Sequence, residues 1–193
     1  MSNNTLKHLF TVFLPLILGQ LFVACKHGNP EVGALLDRIE QVVVPRPDSA
    51  LIELIRLDSL LDAGAVSIEG ERQMARYALL KTQTNDKNYI DDTSDSLILL
   101  AVRYYDEHGS KREKMLAHFY HAAIFRNARD YGAAFVAYRQ AESLALDINE
   151  DYYLTRIYGN LFTLSYDTYS KDAIMYARKN LEYARKSGDL REA

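Results

Sequence analysis

The residues of this chain that could do chemistry are few, and their spacing narrows them further. His118 and His121 stand three positions apart, which on a helix puts two imidazoles on one side, within reach of a single metal ion. His108 lies just upstream, but no cysteine or closely spaced carboxylate completes a ligand set, so the pair reads as part of a helix surface. The run Asp91-Asp92-Thr93-Ser94-Asp95 has the acidity of a calcium loop without its Gly or its distant Glu. Ser94 or Asp95 reads instead as the cap of a following helix. The sequence holds no Gly-rich phosphate loop, no nucleophile elbow and no zinc-protease helix. Neither catalysis nor a metal or other cofactor is expected.

Cys25 is the remaining reactive group and the single cysteine of the chain, so an internal disulfide is excluded. Lys7 and His8 precede an apolar run from Leu9 to Ala24, shorter than the ~20 residues that a membrane helix needs. That pattern is a secretory signal. Its end, Leu21-Phe22-Val23-Ala24-Cys25, resembles the lipobox of bacterial lipoproteins, and the resemblance implies a lipid on Cys25. Residues 1–24 are therefore read as a signal peptide, 25–30 as a polar tether and 31–193 as the folded domain. The resemblance also implies an exported protein held on a membrane through Cys25, facing the periplasm or the cell surface.

The elements that must position everything else are helices. At 193 residues, with 48% hydrophobic and 25% charged, the chain can bury the core of one domain or a short repeat array. Its net charge of −3 offers no basic surface for nucleic acid, which is not expected as a partner. All fourteen tyrosines lie from Tyr77 onward, as suits large, semi-polar rings packed between repeated helices. Val32, Leu35, Leu36, Ile39 and Val43 form a helical stripe that Pro45-Arg46-Pro47 stops. Asp48 or Ser49 caps a second helix bearing Leu51, Ile52, Ile55, Leu60 and Leu61. A third helix is expected from about Glu71 through Leu80, a polar loop from Asn85 to Ser94, and a fourth helix from Asp95 through Tyr105.

After the turn Arg129-Asp130-Tyr131, the residues Ala134, Tyr138, Ala141 and Ala145 recur at helical spacing, and alanine on such a stripe lets a partner helix approach closely. Phe119, Ala122, Ala123 and Phe125 of the preceding helix answer it. Ala122, Phe125, Ala134, Tyr138 and Ala141 resemble the signature of a tetratricopeptide repeat, with His118 and Leu146 standing where that family prefers Trp and Pro. Gly70, Gly109, Asn149 and Gly188 follow one another at 39, 40 and 39 residues and mark left-handed helix ends. This period exceeds the ~34 residues of the standard unit. The expected fold is all-α, a right-handed α-solenoid of tetratricopeptide-like hairpins, with another α-α repeat such as armadillo as the alternative. As a whole the chain resembles the tetratricopeptide lipoproteins common in Bacteroidetes, several of which continue into a signalling module.

Function follows from that resemblance: the first helices of stacked hairpins line a concave surface that holds a peptide or another protein. The family's register places Phe119, Ala123, Arg126 and Asn127 toward it, with Gln83 and Asn160 as looser equivalents. The alternative is the periplasmic input portion of a longer regulator. Asp48-Ser49-Ala50, Asp58-Ser59-Leu60 and Asp95-Ser96-Leu97 resemble the acceptor pattern of Bacteroidetes O-glycosylation, which implies Ser49, Ser59 and Ser96 as modification sites. Asp189-Leu190-Arg191-Glu192-Ala193 begins what reads as a further helix, so the array is expected to continue beyond Ala193.

Overall fold

Asn29 and Pro30 open the first helix. The Asn29 side chain accepts from the Glu31 and Val32 N–H groups at 3.0 and 3.3 Å, and Pro30 takes the first helical position, where a missing N–H costs nothing. The computed structural model describes residues 28–188. Cys25 and the rest of the signal and lipobox segment, and residues 189–193, lie outside them. Among the described residues there are eight helices and no strand: α1 (Pro30–Val42), α2 (Pro47–Asp62), α3 (Gly70–Lys87), α4 (Ile98–His108), α5 (Lys111–Asn127), α6 (Tyr131–Ile148), α7 (Asp151–Asp167) and α8 (Ala173–Ser187). The described part of the chain is all-α, as its periodicity implied.

The helices pair as consecutive hairpins, α1 on α2, α3 on α4, α5 on α6 and α7 on α8, and each hairpin's second helix also meets the first helix of the next. First helices touch one another as well, α1 with α3 and α3 with α5. The α6 stripe is buried as its alanines predicted, with Ala134, Tyr138, Ala141 and Ala145 each 0% exposed. Phe119, Ala122 and Ala123 on α5 are buried too, and Phe125 packs at the edge of the same core. Two apolar cores form among the described residues. One gathers Leu35, Leu36, Ile39, Leu54 and Leu57 of the first hairpin with Leu80; the other runs from Ala75, Ala78 and Leu79 through the last three hairpins.

Three turns repeat at intervals of 40 residues. Ile90, Asp130 and Ser170 donate their N–H groups to the carbonyls of Asn85, Phe125 and Ser165 at 2.9, 2.9 and 2.7 Å, the wide closure of a Schellman motif. The residue before each donor is left-handed: Tyr89, Arg129 and Tyr169, at φ 57°, 62° and 54°. Of the four marks read from the sequence, Gly70, Asn149 and Gly188 do have positive φ, at 77°, 56° and 74°. Gly109 does not. It is extended, at φ −82° and ψ 156°, and its role is space, since a Cβ there would lie 2.8 Å from Tyr105 Cβ.

Other boundaries also differ from the reading of the sequence. Asn29, in the segment read as a tether, is held by Gln73, which accepts from its N–H at 3.1 Å and donates to its carbonyl at 2.8 Å. α2 starts on Pro47 without a side-chain cap from Asp48 or Ser49. α4 starts at Ile98, not Asp95, and neither Ser94 nor Asp95 caps it. α3 runs seven residues beyond Leu80, to Lys87. The stretch Thr82-Gln83-Thr84 has loop-like polarity but is buried.

Replacing Ala134 by Leu inserts three carbons where α5 and α6 touch. The expected cost is ~1–3 kcal/mol, read as a fall in melting temperature of roughly 2–4 °C per kcal/mol for a domain of this size. Val136→Leu, on the same helix but at a position 59% exposed, should leave the melting temperature unchanged.

Candidate functional site

The polar C-terminal turns of α3 and α5 and the first half of α7 converge on one carboxylate. Asp86 Oδ1 meets Arg126 Nη2 and Asp86 Oδ2 meets Arg156 Nη2, each at 3.2 Å. The Asp86 side chain is 9% exposed, that of Arg156 13% and that of Arg126 32%, so the bridge sits largely out of water, where opposite charges attract more strongly. Arg126 also donates to Asn160 Oδ1 at 2.6 Å and to Asn127 Oδ1 at 3.1 Å. Asn160 Nδ2 returns to the Arg156 carbonyl at 2.8 Å, and Asn127 Nδ2 reaches the Asp92 carbonyl at 3.3 Å. Lys87 donates to the Tyr152 hydroxyl. Two guanidiniums thus share one buried carboxylate.

Arg126, Asn127 and Asn160, expected on a concave surface, are brought together here. Phe119 and Ala123 are not on any open surface; each is 1% exposed. Phe119 is the centre of an aromatic cluster, edge-on to Tyr120, Tyr138 and Tyr153 at 5.0, 5.6 and 5.3 Å between centroids. The Arg156 guanidinium lies 5.2 Å above the Phe119 ring. A register taken from an open solenoid fails at these two positions because the curvature is tight: α7 reaches α3 directly, through Asp86–Arg156 and through Gln83 Nε2 to the Tyr153 hydroxyl at 3.4 Å. The Tyr120 and Tyr138 hydroxyls are pushed far above the usual tyrosine range by burial, so they remain protonated.

A cleft of about 630 Å³ opens between the C-terminal end of α1, the body of α3 and the N-terminal turns of α5 and α7, a volume typical of ligand sites. Glu40 on α1, Arg72, Arg76 and Gln83 on α3, Arg112 on α5 and Tyr153 on α7 line it, above an apolar floor that includes Leu79 and Leu116. Arg76 is held by Asp37 at 2.7 Å and by Glu40, and Arg112 by Glu150 at 2.8 Å. Arg72 is exposed and has no carboxylate partner among the described residues. Gln83 is the one residue expected from the sequence that reaches this cleft. Asp86, Arg156 and the cleft arginines were missed. The available signal was the period itself, since Asp86 and Arg126 lie 40 residues apart.

The histidines face α4 and go to separate carboxylates. His118 Nε2 lies 2.9 Å from Asp106 and His121 Nε2 3.6 Å from Asp95, and no group of three potential ligands occurs among the described residues. The pair is not helix surface, with side chains only 10% and 12% exposed. Burial lowers the His121 pKa despite Asp95. Of the three serines in glycosylation-like patterns, Ser59 and Ser96 are exposed and Ser49 is half-buried in the first turn of α2.

Asp86→Ala should leave two guanidiniums facing each other without a counter-ion, at a cost of roughly 3–5 kcal/mol, measurable as a lower urea midpoint. Asp86→Glu should recover part of it. No protein-family model, curated protein or solved structure matches the chain, so the geometry alone carries the reading of what this site does.

Proposed function

We propose that the chain is a non-catalytic binding scaffold, a right-handed stack of tetratricopeptide-like hairpins that holds a segment of another protein in the cleft of its first helices. The observation that carries this reading is that four successive hairpins each contribute to one cleft, through Glu40, Arg76, Gln83, Arg112 and Tyr153. Its lining suits a polypeptide. The apolar floor takes an aliphatic side chain, and Arg72 offers an unpaired charge to an acidic one. The lipobox-like end of the signal adds the second part of the proposal, a lipid anchor on Cys25 that holds the scaffold on a bacterial membrane, exposed to the periplasm or outside.

Peptides selected from a random library against residues 28–188, the segment that contains both apolar cores entire, should shift the amide resonances of Arg72, Gln83, Leu116 and Tyr153. Arg72→Trp, which narrows the mouth, should weaken them about tenfold, or 1.4 kcal/mol. Perturbations confined to the outer helices would remove the cleft from the proposal.

The anchor is tested separately. Cys25→Ser should abolish incorporation of a fatty-acid label and move the protein from the membrane to the soluble fraction. An unchanged distribution would refute the lipid.

A further inference from the structure

The fold grips its own first residues through a single side chain. Gln73 of α3 accepts from the Asn29 N–H at 3.1 Å and donates to the Asn29 carbonyl at 2.8 Å, and the same Oε1 accepts from the Glu69 N–H at 2.9 Å. Gly28 lies flat against this staple, since a Cβ there would come within 2.7 Å of the Gln73 amide carbon and 2.8 Å of the Glu69 carbonyl oxygen. Only glycine passes at that distance. α1 follows at once and is tied to α3 again through Arg76, which takes Asp37 and Glu40. The chain thus joins the body of the fold at Gly28 itself, with no slack after it.

The place where it joins is beside the cleft. Gly28, Asn29, Pro30 and Gln73 line a second groove, and Arg72 and Arg76 line both that groove and the cleft. Arg72, the exposed guanidinium offered to an acidic side chain, is the residue next to the staple. Cys25 precedes Gly28 by three residues, a reach of at most ~11 Å for a fully extended chain. A lipid on Cys25 would hold this side of α3 against the headgroups, because the chain has no longer path on which to swing away.

We propose that the cleft takes its ligand from the membrane surface: a juxtamembrane stretch of another membrane-attached protein, a few residues from that protein's own span or lipid. This rests on the lipid at Cys25 and on the peptide cleft, each of which has its own experiment. The stretch carries an aliphatic residue for the floor of Leu79 and Leu116 and an acidic one for Arg72. Confinement to one surface makes the encounter effectively intramolecular, so a contact too weak to persist in solution is held by effective concentration. A soluble partner gains nothing from it.

The test supplies the anchor chemically, so that it does not depend on natural lipidation. Cys25 is the single thiol of the chain, and coupling residues 25–193 through it to a maleimide lipid in phosphatidylcholine vesicles fixes the fold at its own tether. The probe is a peptide selected against the cleft, given a lipid of its own behind a Gly-Ser spacer of either ~6 or ~30 residues. Energy transfer between peptide and protein reports binding. The short-spacer peptide should bind at about tenfold lower surface density, the gain expected of a linker about fivefold shorter that still spans the sites. Inserting about twenty Gly-Ser residues between His27 and Gly28 should remove most of that gain, and Arg72→Trp should weaken both peptides alike. A short-spacer peptide that binds no better than the long one, or not at all while free peptide binds in solution, would overturn the proposal. Free peptide that fails to bind in solution removes the cleft, and a missing fatty-acid label on Cys25 removes the anchor; either result takes the proposal with it by a route distinct from the spacer comparison.

Discussion

A single buried carboxylate ties three successive hairpins of this molecule together. Asp86 belongs to α3, Arg126 to the first helix of the next hairpin and Arg156 to the first helix of the one after. A carboxylate has two oxygens, and here each goes to a different guanidinium, so three successive hairpins are drawn toward one point. Because burial makes an unpaired charge expensive, the helices cannot splay without losing both bonds. The interior that an open array would offer to a ligand is filled instead by Phe119, Tyr120 and Tyr153. The cleft lies beside this filled interior, between the end of α1, the first half of α3 and the start of α5.

That arrangement explains which parts of the fold were legible in the sequence. The α6 stripe was, because four small or aromatic residues at helical spacing have no better explanation than close packing. Gly70, Asn149 and Gly188 were, because Gly and Asn tolerate positive φ. Tyr89, Arg129 and Tyr169 were invisible by the same logic, since a side chain with a Cβ in the left-handed region carries a cost of roughly 1–2 kcal/mol that nothing local announces. They become intelligible through the Schellman bonds repeated at Asn85, Phe125 and Ser165. Geometry common to three hairpins overrides residue preference at the turn.

The end of α3 shows the limit from the other side. Thr82-Gln83-Thr84-Asn85-Asp86-Lys87 has the composition of a loop, and only tertiary partners make it a helix: Tyr153 for Gln83, the two arginines for Asp86, and Tyr152 for Lys87. Those partners lie 40 to 70 residues away, beyond any local window. Arg126, Asn127 and Asn160 were identified, but their role was not, because one-helix reasoning treats each as a solvated side chain. Phe119 and Ala123 were assigned to the wrong environment for the same reason.

The two apolar cores meet only through α3, which gives Leu80 to the first and Ala75, Ala78 and Leu79 to the second. Free energy of opening is then unevenly distributed. The hairpin α1–α2 is joined to α3 by Leu80 and by polar contacts of Arg76 with Asp37 and Glu40 and of Lys81 with Asp58, so separating it exposes less apolar surface than opening the core of the other six helices. Its Glu40 is one wall of the cleft. An occupant that touched both α1 and α3 would bind only their closed arrangement, and would therefore oppose separation of the first hairpin from the rest.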